Sequence, residues 1–497
     1  MRHLTRRQFL TLSAGSLGAT VLTRCVSYPS QGRSPRSSTD IAQWTSTDGL
    51  LEAELEARLG TVTIGEQTAN LMSYNGQIPG PRLEARPGDR VNIRFTNALP
   101  DPTNIHYHGL HVPPTGHADN VFLEVSPNET LTYEFTIPDD HPAGVFYYHP
   151  HLHGYVADQV FGGLGGIFVV RGDLDDIPEL QAADEAFLFL KDVAIADSNQ
   201  PRMGRMIGRE GNVITINGQV NPSFSISSGG LLRLRLVNAS NARFYRLSLE
   251  DHRLYLVATD AGAIAQPVEL QELLLAPGER AEVLVRGEHD SGHYRLLNLP
   301  YDRGRMGMMG GPMMGGPMMD GSRRRPRQMG PSMMDGYGDA STQPLATLSY
   351  SGHVDPLPLP QRLIPVNALS EPQEIRSFTL NHGMAPGRGM VFLINGRPFD
   401  SDRIDTQVNL GAIEEWDILN TGVMDHPFHL HTNRFQVVSR NGQPEPYPAW
   451  KDTILVPAGE SARIRVSFND FAGKTVYHCH ILDHEDLGMM GTIEMQT

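Results

Sequence analysis

Cysteine is scarce in this sequence, since Cys25 and Cys479 are the only two among 497 residues. Cys25 falls in or near a stretch that is predicted below to be an export signal, so the mature chain is expected to keep Cys479 alone. A single cysteine excludes an intramolecular disulfide, which small exported proteins commonly use for stability. A chain of this length must therefore be held together by the burial of its hydrophobic cores.

Positive charge and long apolar runs are also in short supply. The formal net charge is −15, and residues 323–327 form the basic block that stands out. This balance gives no support for nucleic-acid binding and is compatible with cationic or neutral partners. The apolar run that ends near Leu22 is too short, and too rich in Gly, Ser and Thr, for a stable membrane span. We therefore expect neither a nucleic-acid partner nor an integral membrane segment.

Residues 1–40 are predicted to be an export signal and a linker rather than part of the fold. Arg6 and Arg7 in TRRQFL precede the apolar run, which is typical of twin-arginine signals. A chance arginine pair before a buried helix is the alternative. Cys25 suggests a lipid anchor, but Arg24 stands where lipid-anchor processing expects a small residue, so plain cleavage is favoured. The expected location is the periplasm or another exported compartment.

From residue 49 onward the sequence consists of short alternating runs such as RVNIRFTN and TLTYEFTIP, separated by Pro, Gly, Asn and Asp. Such spacing is typical of β-sandwiches rather than of strands that alternate with helices. Nearly 500 residues are too many for one hydrophobic core. The sequence therefore predicts an all-β protein with several domains.

The most informative stretch is YHCHILDHEDLGMM, residues 477–490. It contains His478, Cys479, His480, His484 and Met489. Cysteine, histidine and a weak methionine form the ligand set of blue, electron-transferring copper. If residues 475–481 form a strand, Cys479 points to one face and its two neighbours point to the other. One tripeptide could then bind a copper ion through sulfur and supply imidazoles to others, whereas the alternative is a buried thiol among chance histidines.

Three upstream clusters have the same character. They contain the H-x-H pairs His106 and His108, His149 and His151, and His429 and His431, with His426 just before the last pair. On a strand, residues i and i+2 share a face, so both imidazoles of a pair can converge on one site. A single pair is easily explained as ordinary surface or core histidines. Four pairs in one chain, one of them around Cys479, favour a metal site.

These clusters, in this order, resemble those of the multicopper oxidases, the family of laccases and bacterial cuprous oxidases, over nearly everything from residue 50 onward. The resemblance implies four copper ions, one of type 1, one of type 2 and two of type 3. It assigns His426, Cys479, His484 and axial Met489 to type 1, His106 and His429 to type 2, and His108, His149, His151, His431, His478 and His480 to type 3. His153 falls outside the family's ligand positions and is interpreted as structural.

The family's architecture implies three cupredoxin-like Greek-key β-sandwich domains. We expect them at residues 48–172, 184–352 and 370–497, with the type 2 and type 3 ions between the first and the third. The second domain has no H-x-H pair and is interpreted as a spacer.

Asp119 in GHADNVF and Glu485, next to His484, match acidic positions of the family. The resemblance makes them catalytic residues that supply protons while dioxygen is reduced. The alternative is that both are solvated surface carboxylates.

A methionine-rich insert occupies residues 303–339 and holds ten of the twenty methionines. Thioether sulfur is a soft ligand that selects Cu(I), and the insert resembles those of bacterial cuprous oxidases. Two departures stand out. The insert lies at the end of the second domain instead of in the third, and Gly422 replaces the family's acidic substrate ligand. Met424 does match the family, Asp425 is the nearest substitute acid, and a linker without a metal role is the alternative.

The sequence thus predicts an exported oxidoreductase that uses dioxygen and either Cu(I) or a small aromatic reductant, with copper tolerance as a role. It is expected to be a monomer. A laccase that acts mainly on organic substrates is the first alternative. A copper nitrite reductase shares the fold but needs no HCH tripeptide and usually has two domains. A structural, division-type protein of this fold would have lost the ligands that are present here.

Overall fold

Strands dominate the structure, a computed structural model that describes residues 41–195, 202–304, 341–387 and 389–497. The all-β prediction is confirmed. The predicted export signal, and the methionine-rich insert beyond Gly304, lie outside the described residues. Within the part of the chain that is described, no helix combines the length and the apolar character that crossing a membrane requires.

The first pair of sheets comes from the N-terminal part of the described chain. Its strands are β1 (Gln43–Thr45), β2 (Leu50–Ile64), β3 (Gln67–Tyr74), β4 (Gly80–Ala85), β5 (Arg90–Ala98), β6 (His106–His108), β7 (Thr130–Thr136), β8 (Gly144–His149) and β9 (Gly166–Val170). They form sheets of order β1-β4-β9-β8-β6 and β3-β2-β5-β7. Alternate residues of β5, such as Ile93 and Phe95, face Tyr148 and Phe168 of the other sheet in a shared core, as a half-buried strand requires.

The second pair of sheets follows. Its strands are β10 (Asp184–Val193), β11 (Val213–Ile216), β12 (Ser223–Ser228), β13 (Leu231–Asn238), β14 (Tyr245–Leu249), β15 (Leu254–Thr259), β16 (Gly262–Leu270), β17 (Leu273–Leu275), β18 (Arg280–Arg286), β19 (His293–Leu299) and β20 (Gln343–His353). The sheet orders are β11-β10-β13-β18-β15-β16 and β12-β20-β19-β14-β17. Every residue of β13 is buried because the six-stranded sheet also packs on the first pair, where Phe189 and Val237 contact a cluster with Tyr147 and Ile167.

The third pair of sheets completes the chain. Its strands are β21 (Glu374–Ala385), β22 (Gly389–Ile394), β23 (Thr406–Asn409), β24 (Ala412–Asn420), β25 (His426–Leu430), β26 (Phe435–Arg440), β27 (Gln443–Pro444), β28 (Trp450–Lys451), β29 (Thr453–Val456), β30 (Ser461–Phe468), β31 (Gly473–Cys479) and β32 (Met490–Gln496). The orders are β22-β21-β24-β30-β26-β27, with β28 beside β26, and β23-β32-β31-β25-β29. Trp416 lies at the centre of the core, 5.7 Å from the ring of Tyr477 in the opposite sheet.

The helical elements of the described residues are short. They are α1 (Val156–Phe161), α2 (Pro178–Gln181), α3 (Arg202–Ile207), α4 (Leu482–Asp486) and a 3-10 turn at Asp173–Asp176. Helix α4 matters most for the site, because it begins three residues after Cys479 and carries two of the predicted functional residues.

One pairing pattern recurs in the three pairs of sheets. In each pair a strand runs parallel to a later strand, which then pairs antiparallel with a third: β2 with β5 and β7, β10 with β13 and β18, and β21 with β24 and β30. The repetition means that one fold is used three times. The limits of the three domains, 48–172, 184–352 and 370–497, remain predictions from the sequence.

Two strand pairs place the histidine clusters. Strand β6 pairs with β8, so that His106 lies opposite His149. Strand β25 pairs with β31, so that His429 lies opposite His478. The predicted strand over residues 475–481 begins earlier and ends at Cys479, because the chain turns there into helix α4.

Candidate metal centres

Cys479 is the centre of a small buried group at one end of the third pair of sheets. The Nδ1 atom of His426, at the start of β25, lies 3.4 Å from Cys479 Sγ. The Nδ1 atom of His484, on α4, lies 3.8 Å from the same sulfur and 3.3 Å from His426 Nδ1. Burial raises the pKa of the Cys479 thiol, so the thiolate that binds a metal requires a cation at this point.

The Met489 backbone lies beside this group, and its role as axial ligand stays a prediction. Met489 is buried, and its carbonyl oxygen accepts a hydrogen bond of 3.0 Å from the backbone N–H of Cys479. The short helix α4 makes this approach possible, since it returns the chain to the end of β31. Phe392 also packs against this group, with its ring stacked 3.9 Å from that of His484.

A second group consists of three histidines whose Nε2 atoms converge. His478 Nε2 lies 3.1 Å from His151 Nε2 and 3.0 Å from His431 Nε2. His478 Nδ1 donates its hydrogen to the Cys479 carbonyl oxygen at 3.0 Å, which leaves a lone pair on Nε2. Burial lowers the pKa of His151 to about 4, so the His151 imidazole is neutral near pH 7. A cation bound here would satisfy the lone pairs of the convergent Nε2 atoms.

The remaining ligands form two overlapping groups. One contains His108, His149 and His480, and the other contains His106, His108 and His429, with the ligand atoms of each group within 4.8 Å of one another. His149 Nδ1 donates to the Pro150 carbonyl oxygen and His429 Nδ1 to the Asp452 carbonyl oxygen, both at 2.9 Å. Their Nε2 atoms are buried without a hydrogen-bond partner. Histidines that ligate metals are held in this way by a second hydrogen bond.

The structure therefore brings all the predicted histidine and cysteine ligands into groups that fit a metal. It also sorts the six predicted type 3 ligands into two sets of three, a division that the sequence could not give. His153 lies outside these groups, with a half-exposed ring 3.9 Å from a carboxylate oxygen of Asp486. The assignment of each ligand to one type of copper stays a prediction.

The two predicted acids are both buried, which excludes the surface alternative. The Asp119 carboxylate lies 2.9 and 3.1 Å from His106 Nδ1 and accepts the Tyr107 backbone N–H at 2.8 Å. Burial raises the pKa of Asp119 to about 8. Glu485 lies 3.1 Å from His478 Nδ1 and 3.6 Å from His151 Nε2. Each acid thus touches a histidine of the site.

Three residues of the site were not predicted from the sequence: Tyr147, Arg280 and Asp452. The Tyr147 hydroxyl lies 2.9 Å from His480 Nε2. Asp452 Oδ1 lies 3.2 Å from His108 Nε2, and Arg280 binds the Asp452 carboxylate. Burial alone raises the pKa of Asp452, but the Arg280 guanidinium holds it well below its ordinary value. No local sequence pattern marks these residues, because only the packing of the sheets brings them to the histidines.

Because Arg280 belongs to the second pair of sheets, the interpretation of that region as a spacer is incomplete. The turn before β18 also contacts the site directly. A Cβ atom at Gly278 would lie 2.8 Å from ring atoms of His480, so the turn approaches as closely as a glycine allows.

Three repeated β-sandwiches and these buried ligand sets define a copper protein of the cupredoxin-like class. Family models described as multicopper oxidase match residues 56–174, 190–310 and 370–497. A solved structure of a multicopper oxidase from Campylobacter jejuni, described as a metallo-oxidase, has 31% identity and a TM-score of 0.78, with 92% of this chain and 94% of that chain covered. The chain therefore belongs to the multicopper oxidase family, which makes it an oxidoreductase with a copper cofactor.

Curated relatives carry two different names. Multicopper oxidase mco of Staphylococcus haemolyticus is 28% identical over 438 residues, covering 86% of this chain and 84% of the relative. The cell division protein FtsP of Proteus mirabilis is 28% identical over 444 residues, covering 87% of this chain and 86% of the relative. Membership of the family therefore does not by itself determine the cellular role.

Proposed function

We propose that this protein is an exported oxidase that couples one-electron oxidation of Cu(I), or of phenols and aromatic amines, to the four-electron reduction of dioxygen to water. The observation that carries the proposal is the position of Cys479 between His478 and His480. Its sulfur belongs to the group with His426 and His484, while its two neighbours belong to different histidine triads. A single peptide therefore links the Cys479 group to two of the histidine triads. Copper, when bound, supplies the one-electron redox steps and the dioxygen chemistry.

The protein's own residues hold and shield these positions. The ligand side chains of the described site are buried. This burial excludes bulk water and keeps partly reduced oxygen species from leaving the site. Glu485 and Asp119 are proposed as proton donors, because each carboxylate touches a histidine of the site and general acids must lie within hydrogen-bonding reach of their target.

The hairpin of β21 and β22 supports the proposal that Cu(I) is a substrate. In its register His382 lies opposite Phe392, and Met384 lies opposite Met390. Cross-strand partners and residues two apart share a face, and Phe392 stacks on His484. The histidine and both methionines therefore share one face of the hairpin. That face extends outward from the predicted type 1 group, which consists of Cys479, His426 and His484. Imidazole and thioether are ligands that suit copper, and thioether selects its reduced form.

His382 has a further feature that favours a metal substrate. Its Nδ1 atom is buried without a hydrogen-bond partner, as is Nε2 of His426. Both nitrogens lie within 4 Å of the point that a Cβ at Gly422 would occupy, at 3.6 and 3.8 Å. The space left by the absence of the family's acidic side chain is thus flanked by two imidazole nitrogens.

The other candidates for a substrate ligand are less well placed. The Asp425 carboxylate accepts hydrogen bonds from the Tyr301 hydroxyl at 2.7 Å and from the Ala458 backbone N–H at 2.9 Å. Met424 is buried in the core of the third pair of sheets. Both side chains are therefore held by contacts within the fold. We propose that the hairpin of β21 and β22 supplies the substrate ligands instead.

The described start of the methionine-rich insert also lies near this face. The Arg303 carbonyl oxygen accepts a hydrogen bond of 3.2 Å from the backbone N–H of Asp425, which directly precedes His426. A Cβ at Gly304 would lie 2.5 Å from the Val423 carbonyl oxygen. The chain thus enters the insert beside the type 1 group, which supports a role on the substrate side.

The substrate is tested by oxygen uptake of copper-loaded protein with Cu(I), Fe(II) and a phenol measured side by side. A higher kcat/KM for Cu(I) supports a metallo-oxidase, like the Campylobacter jejuni structure, whereas a preference for the phenol supports a laccase. A variant with His382→Ala, Met384→Leu and Met390→Leu should raise the KM for Cu(I) and leave that for the phenol unchanged. His293→Ala, on β19 of the second pair of sheets, is the matched control.

A structural role is the second candidate, since a relative is named as a cell division protein. Such a role requires no metal, so the retained set of buried ligands favours the oxidase. Metal analysis of the purified protein separates the two. About four copper ions per chain support the oxidase, and copper-free protein that neither binds copper nor consumes oxygen supports the structural role.

A further inference from the structure

The three pairs of sheets meet at one buried ion pair. Arg280, at the start of β18, donates from Nη1 to Asp452 Oδ1 at 2.6 Å and from Nη2 to Asp452 Oδ2 at 2.5 Å. Asp452 lies between β28 and β29 of the third pair. Both side chains are buried, and a two-pronged arginine–carboxylate contact fixes the orientation of both groups.

The first pair of sheets leaves room for this contact at Gly109, the residue after His108. Gly109 has a φ of +85°, and a Cβ there would collide with Arg280 Nη2 and Asp452 Oδ2. The guanidinium is also held from its own side, because it donates to the carbonyl oxygens of Asp260 at 2.7 Å and Gly278 at 3.1 Å. Arg280 is therefore fixed in place independently of Asp452.

Asp452 connects the arginine to two predicted copper ligands. Its Oδ1 atom lies 3.2 Å from His108 Nε2, and its carbonyl oxygen accepts the His429 Nδ1 hydrogen at 2.9 Å. The rings of His108 and His429 are stacked, with centroids 3.8 Å apart and planes 11° apart. One residue thus orients a stacked pair that consists of a predicted type 3 ligand and a predicted type 2 ligand.

The chemistry of the contact decides which nitrogen of His108 is free. A carboxylate oxygen only accepts hydrogen bonds, so His108 Nε2 must carry the hydrogen. The lone pair is then on Nδ1, which is buried without a hydrogen-bond partner. His149 and His429 show the opposite arrangement, because their Nδ1 atoms bind carbonyl oxygens and their Nε2 atoms are free.

We propose that Arg280 is a positioning residue for the predicted trinuclear copper site, which is formed by the type 2 and type 3 ligands, and that it acts through Asp452 to orient His108 so that Nδ1 is the nitrogen free for the metal. The second pair of sheets, which holds no predicted ligand, thereby takes part in building the site between the other two. The inference rests on the copper sites of the family and holds for any of the proposed reductants.

The first test compares Arg280→Met with Arg233→Met in copper-loaded protein. Arg233 is a buried arginine of β13 that pairs with Glu282 and Asp175, so its loss controls for breaking a buried ion pair elsewhere in the same sheet. Arg280→Met should keep the blue absorption of type 1 copper, change the electron paramagnetic resonance parameters of type 2 copper, and lower kcat at least tenfold with KM for the reductant unchanged. Arg233→Met should leave the type 2 spectrum as in the parent protein.

A second test asks whether Arg280 acts through Asp452. If it does, Asp452→Asn should alter the type 2 spectrum, and adding Arg280→Met should change it no further. Arg280→Lys keeps the charge but loses the two-pronged contact, so it should change the type 2 spectrum less. This variant replaces Arg280→Met if the latter does not fold. An unchanged type 2 spectrum in the foldable Arg280 variants, independent effects in the double variant, or an equal change in Arg233→Met would overturn the proposal.

Discussion

The type 1 group and the trinuclear group are built in different ways from the same chain. The predicted type 1 ligands all come from the third pair of sheets, over β25, the end of β31, α4 and the turn after it. The predicted type 2 and type 3 ligands, called here the trinuclear group, come from the first and third pairs, and the second pair contacts them through Arg280 and Asp452. The first site can form when one domain folds, whereas the second requires the packing of all three.

This difference separates the expected effects of substitution. A change at the type 1 group should affect electron entry and leave the trinuclear ligands in place. A change at the trinuclear group should leave the blue colour and the first electron transfer intact. The following predictions test this difference between the two groups, beginning with Cys479, whose backbone joins them.

Cys479→Ser should have the largest effect, because the sulfur is the predicted ligand of type 1 copper and the backbone joins both groups. We expect loss of the intense blue absorption and of oxidase turnover, with the β-sheet circular dichroism unchanged. The type 2 signal in electron paramagnetic resonance should persist, since the histidine triads do not use the sulfur. Blue colour retained in the variant would contradict the assignment of Cys479.

Glu485→Gln should act on the trinuclear side only. The variant should accept electrons at type 1 copper at the normal rate and reoxidise in oxygen roughly 100-fold more slowly, as loss of a general acid commonly causes. Stopped-flow bleaching and recovery of the blue band measure the two steps separately. Asp158→Asn, a half-exposed acid of α1, is the control, and unchanged reoxidation of Glu485→Gln would remove the carboxylate from the proton path.

Deleting residues 305–335 should act on the type 1 side only. Ten methionines in the insert offer soft donors for Cu(I), so turnover on Cu(I) should fall severalfold while phenol oxidation stays equal or becomes faster. All four copper ions should remain bound. Equal losses on both substrates would indicate a folding role, and no loss on either would return the insert to the linker interpretation.

Asp119→Asn is expected to change the pH dependence of the stability of copper-free protein. Burial raises the folded pKa of Asp119 to about 8, while the unfolded carboxyl titrates near 4. The unfolded state then releases its proton first, so this residue lowers the free energy of unfolding as pH rises from about 4 to about 8. The variant should lose that contribution, which denaturant titrations of both proteins at several pH values can measure. If the free energy of unfolding depends on pH in the same way in both proteins, the raised pKa of Asp119 is contradicted.

Hydrophobic alternation predicted the all-β fold because inward and outward positions of a half-buried strand differ in composition within a few residues. The motif around Cys479 was found for a related reason. His478 and His480 are its neighbours in the chain, and His484 follows on α4, so the residues that join the Cys479 group to two histidine triads are close in sequence. The strand end at Cys479 was placed two residues late, since only the turn into α4 decides it.

Packing between sheets decided what the sequence could not. The sequence identified His108, but the choice of its metal-facing nitrogen depends on Asp452, more than 300 residues away. The second pair of sheets was interpreted as a spacer because it has no histidine motif, yet the close approach of Gly278 and the charge of Arg280 place it against the site. The sequence by itself identified the histidines and the cysteine that form the buried ligand groups. Tertiary structure determined how the type 3 ligands divide into triads and what orients them, because those contacts join residues whose separation in the chain leaves no local pattern.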